Sequence, residues 1–188
     1  MGSVHGPPGC GPAVTDSPRD ELHRPQADHE AILRTLLEFG VRFVLVGGLA
    51  VRVHGYPRST LDVDVRPDPS AGNLRKLAAA LRALEAQAVD ARGRRLPLDL
   101  SHPESLSVGN YFLHTRAGGL DLFNGPRPDL HRYREIERGA LEIQVGGEPV
   151  QVIGLDDLIR LKREAGREKD LRDIAAIEEV RRRSAESD

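Results

Sequence analysis

Phe-Val-Leu-Val-Gly-Gly-Leu-Ala-Val-Arg-Val-His-Gly-Tyr-Pro-Arg-Ser-Thr-Leu-Asp-Val-Asp-Val-Arg, residues 43–66, is the stretch that decides the fold. Its first four residues are apolar and rich in β-formers, which predicts a short buried strand. Gly47 and Gly48 allow a sharp exit from that strand and a close approach to the backbone. The chain from Leu49 onward is expected to be helical, so free amides at this corner would favour an anion.

A second strand is expected at residues 61–65, where apolar and acidic side chains alternate. Because successive side chains on a strand point to opposite faces, Asp62 and Asp64 share one face. Two carboxylates about 4 Å apart repel by about 4 kcal/mol in an effective dielectric of about 20. A hard divalent cation with oxygen ligands, Mg²⁺ or Mn²⁺ held also by substrate phosphates, would relieve this repulsion. Either fragment alone is equally typical of an ordinary turn or a solvated strand face.

The complete order (strand, Gly-Gly, helix, Arg58, strand with Asp-X-Asp) is much more specific than its parts. It resembles the nucleotidyltransferase superfamily, in which a glycine pair precedes Asp-X-Asp by about a dozen residues, and within it the AbiEii/MenT-type toxins. The resemblance implies an α/β (α+β) fold, a mixed sheet flanked by helices with a helical C-terminal part. Many members have Gly-Ser, whose hydroxyl contacts the triphosphate. Gly48 has no hydroxyl, so backbone amides, Ser59 or Thr60 would make that contact.

The C-terminal segment carries the second part of the resemblance. Residues 155–165 and 167–183 are predicted helices separated by Gly166. Their polar residues also suit ordinary solvated helices with ion pairs. The segment nevertheless resembles the toxins' C-terminal motif, a lysine followed by Arg-X-Lys-Asp-X-X-Asp. By that likeness Lys162 would bind the triphosphate, with Arg167 and Lys169 in support. Asp170 would position the lysine or the metal.

Asp99 and Asp121 compete for the role of third metal-site carboxylate. Each lies between leucines in a strand-like piece, residues 96–100 and 113–123 respectively. Asp121 is favoured because it follows a Gly118-Gly119 turn, which predicts a hairpin. The resemblance places the third carboxylate on such a late strand, beside the strand with Asp-X-Asp. There Asp121 would accept the proton of the attacking hydroxyl.

Helical spacing of apolar residues predicts two further helices, one from Asp28 to Gly40 and one from the turn at residues 67–70 to about Gln87. Residues 141–145 and 150–153 flank Gly146-Gly147 and predict another hairpin. No chemistry is assigned to these elements. We expect them to be scaffold.

Length and composition bound the remaining possibilities. The chain has 188 residues, a net charge of −2 and one cysteine, Cys10, so we expect one domain with a helical appendage and no internal disulfide. The absence of a long apolar run or a leader favours a cytoplasmic protein without membrane contact. The expected parts are a disordered tail at 1–26, a catalytic domain at 27–153, and a helical part at 154–188 that completes the site. The oligomeric state is left open.

The resemblance implies transfer of a nucleoside monophosphate from a nucleoside triphosphate to a hydroxyl. Asp62, Asp64 and Asp121 would hold the metal, while Arg58 and Lys162 would neutralise the phosphates. The acceptor would be the 3′ end of a tRNA, which would block aminoacylation and translation, and the toxin would be paired with a separate antitoxin protein. Three alternatives stay open: an aminoglycoside-type small-molecule nucleotidyltransferase, an adenylyltransferase antitoxin that modifies a protein, and a catalytically inactive binding module.

Overall fold

A seven-stranded mixed sheet forms the centre of the protein. A computed structural model describes residues 28–56, 58–125 and 127–185. The strands are β1 (Phe43–Leu45), β2 (Asp62–Pro67), β3 (Gln87–Val89), β4 (Asn110–Thr115), β5 (Gly118–Phe123), β6 (Leu141–Val145) and β7 (Glu148–Val152). The helices are α1 (His29–Glu38), α2 (Gly47–Val53), α3 (Ala71–Ala83), α4 (Leu130–Arg138), α5 (Leu155–Ala165) and α6 (Glu168–Ala185). The expected mixed α/β fold is thereby confirmed.

Strand β2 lies in the middle of the sheet, whose order is β3-β4-β5-β2-β1-β7-β6. It pairs antiparallel with β1 and parallel with β5. Val63 and Val65 are fully buried in the core. The alternation of β2 therefore directs its other side chains, those of Asp62, Asp64 and Arg66, to the opposite face. This position explains why β2 can carry a site: strands on both sides fix its register and direction.

Helices α1 and α3 cover the sheet as the apolar spacing predicts. Asp28 caps α1, and its Oδ1 accepts a hydrogen bond from the Ala31 amide at 2.9 Å. Fully buried leucines, Leu36 on α1 and Leu77 and Leu81 on α3, show that the predicted apolar faces point inward. Each such side chain stabilises the fold by roughly 2 kcal/mol through burial. Helix α3 ends four residues before the predicted Gln87, which instead begins β3.

The predicted strand at residues 96–100 is wrong. Pro97 has no N–H to donate to a ladder. Asp99 instead accepts hydrogen bonds from the Ser101 amide at 2.8 Å and contacts His102 Nδ1 at 2.7 Å, which forms a local turn. Asp99 is exposed in this turn, outside any strand. The hairpin that contains Asp121 is confirmed as β4 and β5, but its turn lies at residues 116–117, and the predicted turn residues Gly118 and Gly119 belong to β5.

The C-terminal helices follow the sequence pattern closely. Helix α5 covers residues 155–165 as predicted, and Gly166 ends it in the left-handed conformation, at φ +63°. Helix α6 then begins at Glu168 and buries Ile174 and Ile177. The hairpin of β6 and β7 is also confirmed.

Two predictions about the organisation of the chain are not tested by these helices and strands. The tail predicted at 1–26 falls outside the described residues, and the division at residue 153 stays a prediction. Among the helices that the structure describes, none is both long and apolar enough to cross a membrane.

Candidate active site

The glycine corner and the second acid of Asp-X-Asp are in direct contact. The Gly48 amide donates a hydrogen bond to Asp64 Oδ2 at 3.0 Å. Gly47, at φ +63°, lies so close to the same carboxylate that a Cβ there would overlap its oxygen and approach Asp64 Cβ to 2.5 Å. A side chain at position 47 would therefore displace Asp64. The two halves of the sequence motif converge on one corner at the start of α2.

A third glycine makes room for the other acid of the motif. Gly119 lies opposite Asp62 in the register between β5 and β2. A Cβ on Gly119 would come within 2.7 Å of Asp62 Cγ, so any larger residue would collide with that carboxylate. The sequence pattern predicted Gly119 in a turn, and the space that it leaves for the Asp62 carboxylate was not predicted. The signal was present, because a glycine inside a strand often marks a close approach by another group.

Asp121 lies beside Asp64 on the neighbouring strand. The two residues are register partners in the parallel pair of β2 and β5, and Asp121 is only 8% exposed. Asp99, its rival in the sequence, is in an exposed turn. Asp121 is therefore the candidate that shares a region of the sheet with Asp62 and Asp64.

The surroundings of Asp64 disfavour its charged form. Burial raises the pKa of Asp64 to about 6, and repulsion from Asp62 acts in the same direction. The hydrogen bond from Gly48 and the positive charges of Lys162 and Lys169 oppose this rise without cancelling it. A half-buried carboxylate with a raised pKa is stabilised by an added cation. Such perturbed groups are also typical of functional sites.

The loop between α2 and β2 brings Thr60 against the glycine corner. A Cβ on Gly48 would approach Thr60 Oγ1 to 2.6 Å, so Thr60 occupies the space where a side chain at position 48 would begin. The Thr60 hydroxyl donates to the Asp62 carbonyl at 3.2 Å. Ser59 is exposed in the same loop. Of the two hydroxyl residues proposed in place of serine, Thr60 is the one at the corner.

The predicted C-terminal residues form a buried charge network. Lys162 Nζ contacts Asp173 Oδ2 at 2.6 Å and Asp170 Oδ1 at 3.2 Å, and its side chain is only 7% exposed. Arg58 Nη1 reaches Asp173 Oδ2 at 2.5 Å, which joins the loop before β2 to α6. Arg167 Nε contacts Asp170 Oδ2 at 2.6 Å. The network holds three cationic side chains in place beside two carboxylates.

The network also favours the ionised form of Asp170. Burial by itself raises the pKa of Asp170, but hydrogen bonds and charge from Arg167, and then from Lys162, leave that pKa below its usual range. Asp170 is therefore a carboxylate at neutral pH. Its Oδ1 contacts Lys162 Nζ, so the contact is compatible with the lysine-positioning role that the resemblance implies, which stays a prediction.

A cavity of about 460 Å³ adjoins both parts of the site. Gly47 lines it from the glycine corner, and Lys162, Arg167 and Asp170 line it from the C-terminal helices. The volume is in the range typical of small-molecule and cofactor sites. Lys162 and the glycine corner thus face one cavity, although they lie more than a hundred residues apart in the chain.

The oxygen-rich acids fit a hard cation by their chemistry, but they do not form a closed cage. Within residues 28–56, 58–125 and 127–185, no three His, Cys, Asp or Glu side chains are grouped closely enough to hold a metal ion. Asp62 and Asp64 share a strand face, and Asp121 is on the adjacent strand. Mg²⁺ is commonly bound by one or two carboxylates with substrate phosphates and water completing its shell. This donor set therefore fits Mg²⁺ or Mn²⁺ bound together with a nucleotide.

The fold is similar to that of solved nucleotidyltransferases. The lincosamide antibiotic adenylyltransferase LnuA, solved with lincomycin bound, matches with a TM-score of 0.52 at 16% identity, over 80% of this chain and 96% of that one. A protein from Thermotoga maritima, named as a nucleotidyltransferase, has a TM-score of 0.49 at 13% identity, over 83% and 92% of the two chains. The enzyme ANT(2")-Ia in complex with adenylyl-2"-tobramycin has a TM-score of 0.49 at 17% identity, over 78% and 83%. No protein-family model and no curated protein matches the chain.

Proposed function

We propose that this chain is a metal-dependent nucleotidyltransferase that transfers a nucleoside monophosphate from a nucleoside triphosphate to an RNA hydroxyl. The observation that carries the proposal is the convergence of Gly47, Gly48 and Asp64 at one corner beside a cavity that Lys162 also lines. These residues are widely separated in sequence, so ordinary turn formation does not explain their meeting. The nucleotidyltransferase fold of the sheet supports the same reaction class.

The proposed reaction is a single displacement at the α-phosphorus. The attacking hydroxyl oxygen forms a bond to that phosphorus, the bond to the β-phosphate oxygen breaks, and pyrophosphate leaves with the electron pair. Asp121, next to Asp64 in the sheet, accepts the hydroxyl proton. Lys162 and Arg58 counter the negative charge of the departing phosphates. Because positioning and charge supply most of the catalysis in such transfers, the protein forms no covalent intermediate.

The metal ion is assigned to Asp62 and Asp64, with Asp121 nearby. When bound, Mg²⁺ or Mn²⁺ would lower the pKa of the attacking hydroxyl and neutralise phosphate charge. Asp170 keeps Lys162 aimed at the cavity through their 3.2 Å contact. Gly47, Gly48 and Thr60 form the corner assigned to the phosphates, beside the acids. Arg167 lines the cavity, and Lys169 adds positive charge near Asp64. Ser59 is a further candidate hydroxyl for the triphosphate.

By the resemblance described above, the acceptor is the 3′ end of a tRNA and the protein is the toxin of a toxin–antitoxin pair. Addition of a nucleotide there would block aminoacylation and stop translation in the cytoplasm. The antitoxin would be a separate protein. These finer assignments rest on the two sequence motifs, whose residues meet in the site.

The test is incubation of the purified protein with total tRNA, Mg²⁺ and each of the four α-labelled nucleoside triphosphates. We expect label at RNA 3′ ends, mapped by sequencing, and none with Asp64→Asn. Arg75→Gln, on the exposed surface of α3, is a matched control for loss of a charged side chain and should label RNA as the wild type does. Absence of label with all four triphosphates would overturn the RNA proposal.

A small-molecule acceptor is the second candidate. The observation that favours it is the similarity of the fold to a lincosamide adenylyltransferase. The same labelled triphosphates with lincosamides and aminoglycosides in place of RNA separate the two. Label in the antibiotic and none in RNA would establish this candidate. Growth arrest on induced expression, relieved by Asp64→Asn, would favour the toxin.

A further inference from the structure

Arg66 is a buried cation that none of the roles above uses. It follows Asp64 by two residues on β2 and therefore lies on the same face of the sheet. Only 8% of the residue is exposed, and it lines the 460 Å³ cavity together with Gly47 and Lys162. Its backbone belongs to the ladder with β1, but its side chain makes no hydrogen bond or ion pair with any residue in the described part of the chain. Buried charges are usually paired, because burial of an unpaired charge is strongly unfavourable.

The acids near Arg66 are already occupied by another arginine. Asp129 caps α4, and its Oδ1 accepts a hydrogen bond from the Arg132 amide at 2.9 Å. Both carboxylate oxygens of Glu164 accept from Arg132 Nη2, at 2.8 and 2.7 Å. Burial, followed by repulsion from Arg132, lowers the pKa of Arg66, and the charges of Asp129 and Glu164 oppose this fall without cancelling it. The hydrogen-bonding capacity of the Arg66 guanidinium is thus left for something that enters the cavity.

Part of the cavity lining is apolar, beside several polar and charged side chains. The aromatic ring of Phe123 and the aliphatic side chains of Leu158 and Leu161 line the cavity. Aromatic and aliphatic walls with a few polar groups are typical of pockets for planar ligands. Gly47, from the corner assigned to the triphosphate, lines the same cavity, so a bound nucleotide with its phosphates at that corner would place its base in the cavity that Arg66 also lines.

We propose that this cavity binds the base of the nucleoside triphosphate and that Arg66 selects a base with two adjacent hydrogen-bond acceptors, guanine or cytosine, over adenine and uracil. This inference rests on the proposed function, since it concerns the nucleotide of the same site. It adds a residue that the two sequence motifs do not contain. Arg66 would be the specificity-determining residue of the reaction.

The selection follows from the chemistry of the guanidinium group. Arginine has only donors, arranged in a fixed fork that suits two neighbouring acceptors. Guanine offers O6 and N7, the pair that arginine contacts most often in nucleic-acid recognition, and cytosine offers O2 and N3. Adenine places an amino donor beside N7 or N1, and uracil places an N–H between its two carbonyls, so neither satisfies the fork. A bidentate pair of this kind discriminates by about 10- to 100-fold.

The experiment measures equilibrium binding of the four nucleoside triphosphates and of inorganic tripolyphosphate, each with Mg²⁺, to the full chain. We expect the wild type to bind GTP or CTP about 10- to 100-fold more tightly than ATP and UTP. Arg66→Gln should remove this preference and leave tripolyphosphate binding within about twofold. Arg66→Lys should also lose the preference, because a lysine keeps the charge without the fork. Arg75→Gln, which does not line the cavity, should keep it.

Two results would overturn the proposal. Equal weakening of all four nucleotides and of tripolyphosphate by Arg66→Gln, with recovery by Arg66→Lys, would show that Arg66 binds phosphate. Equal binding of the four nucleotides by the wild type would show that it does not read the base, and RNA labelling could then still succeed. Failure of every nucleotide to bind would instead defeat the proposed function as well. Since the Arg66 side chain has no hydrogen-bond or ion-pair partner among the described residues, its variants should fold, which thermal unfolding checks.

Discussion

Replacement of Gly47 by alanine should destabilise the protein far more than the same replacement at Gly166. Both glycines have φ +63°, so alanine in either place suffers the same backbone strain, about 1–2 kcal/mol. At Gly166 the new Cβ would meet only Arg163 O at 3.7 Å, an ordinary contact. At Gly47 it would overlap the Asp64 carboxylate. The pair therefore isolates the packing of the glycine corner from the general effect of a Gly→Ala change.

The size of the expected loss of stability at Gly47 follows from the contacts that Asp64 would lose. To admit the Cβ, the carboxylate has to move and lose its 3.0 Å hydrogen bond from the Gly48 amide. Loss of a hydrogen bond to a charged group costs about 1.5–3 kcal/mol, and overpacking adds about 1–3 kcal/mol. Gly47→Ala should lower the free energy of unfolding by about 4–8 kcal/mol in total, against about 1–2 kcal/mol for Gly166→Ala.

Denaturant unfolding of the two variants, followed by circular dichroism, measures this difference. The dependence of the free energy of unfolding on denaturant concentration, the m-value, should be the same in both variants, so that the shift in midpoint reports stability. A Gly47→Ala variant too unstable to purify, beside a well-folded Gly166→Ala variant, would agree in direction. Equal losses of stability in the two variants would refute the reasoning, because Asp64 would then not be packed against the corner in the folded protein.

Three further predictions concern the same site. The ordinary pKa of Asp64 is 3.8 and its pKa in the folded protein is about 6, so between these pH values the folded state binds a proton that the unfolded state has lost. Without divalent cation, the contribution of Asp64 to the free energy of unfolding should therefore fall by about 2 kcal/mol as the pH rises from about 4 to 6. This contribution to the pH dependence should be absent in Asp64→Asn. Gly48→Ala should lower the free energy of unfolding by about 2 kcal/mol, because the new Cβ would collide with Thr60. The Gly48→Ala/Thr60→Gly double variant should be more stable, by at least about 1 kcal/mol, than the sum of the two single losses predicts. If the two losses simply add, the contact between positions 48 and 60 is contradicted. In transfer assays Asp121→Asn should lower the rate by about 10²- to 10⁴-fold while Asp99→Asn has no effect; the reverse order would move the third carboxylate to Asp99.

Local patterns predicted most of the fold because they depend on short-range rules. The boundaries of α5 and its end at Gly166 follow from apolar spacing and from the conformational freedom of one glycine. The alternation of β2 placed Asp62 and Asp64 on one face before any partner strand was known. The failure at residues 96–100 is also local: Pro97 and the bonds of Asp99 favour a turn over a ladder.

Contacts between distant elements could not be predicted in this way. The collision that a side chain at Gly119 would make with Asp62 depends on the parallel register of β5 and β2, which no periodicity encodes. The same holds for the contact of Arg58 with Asp173. In the sequence Arg66 directly follows the strand predicted at residues 61–65, and the pattern assigns it no role. Only the three-dimensional arrangement shows that it is buried, that it has no partner in the described chain, and that it lines the cavity.

Calorimetric titration of a nucleoside triphosphate into the protein, with and without Mg²⁺, tests most directly whether the glycine corner and the acids form one site for cation and triphosphate. Binding to the wild type should require Mg²⁺, release the proton from Asp64 near pH 6, and disappear in Asp64→Asn. Nucleotide binding of equal strength without the cation, and unchanged by Asp64→Asn, would contradict the account.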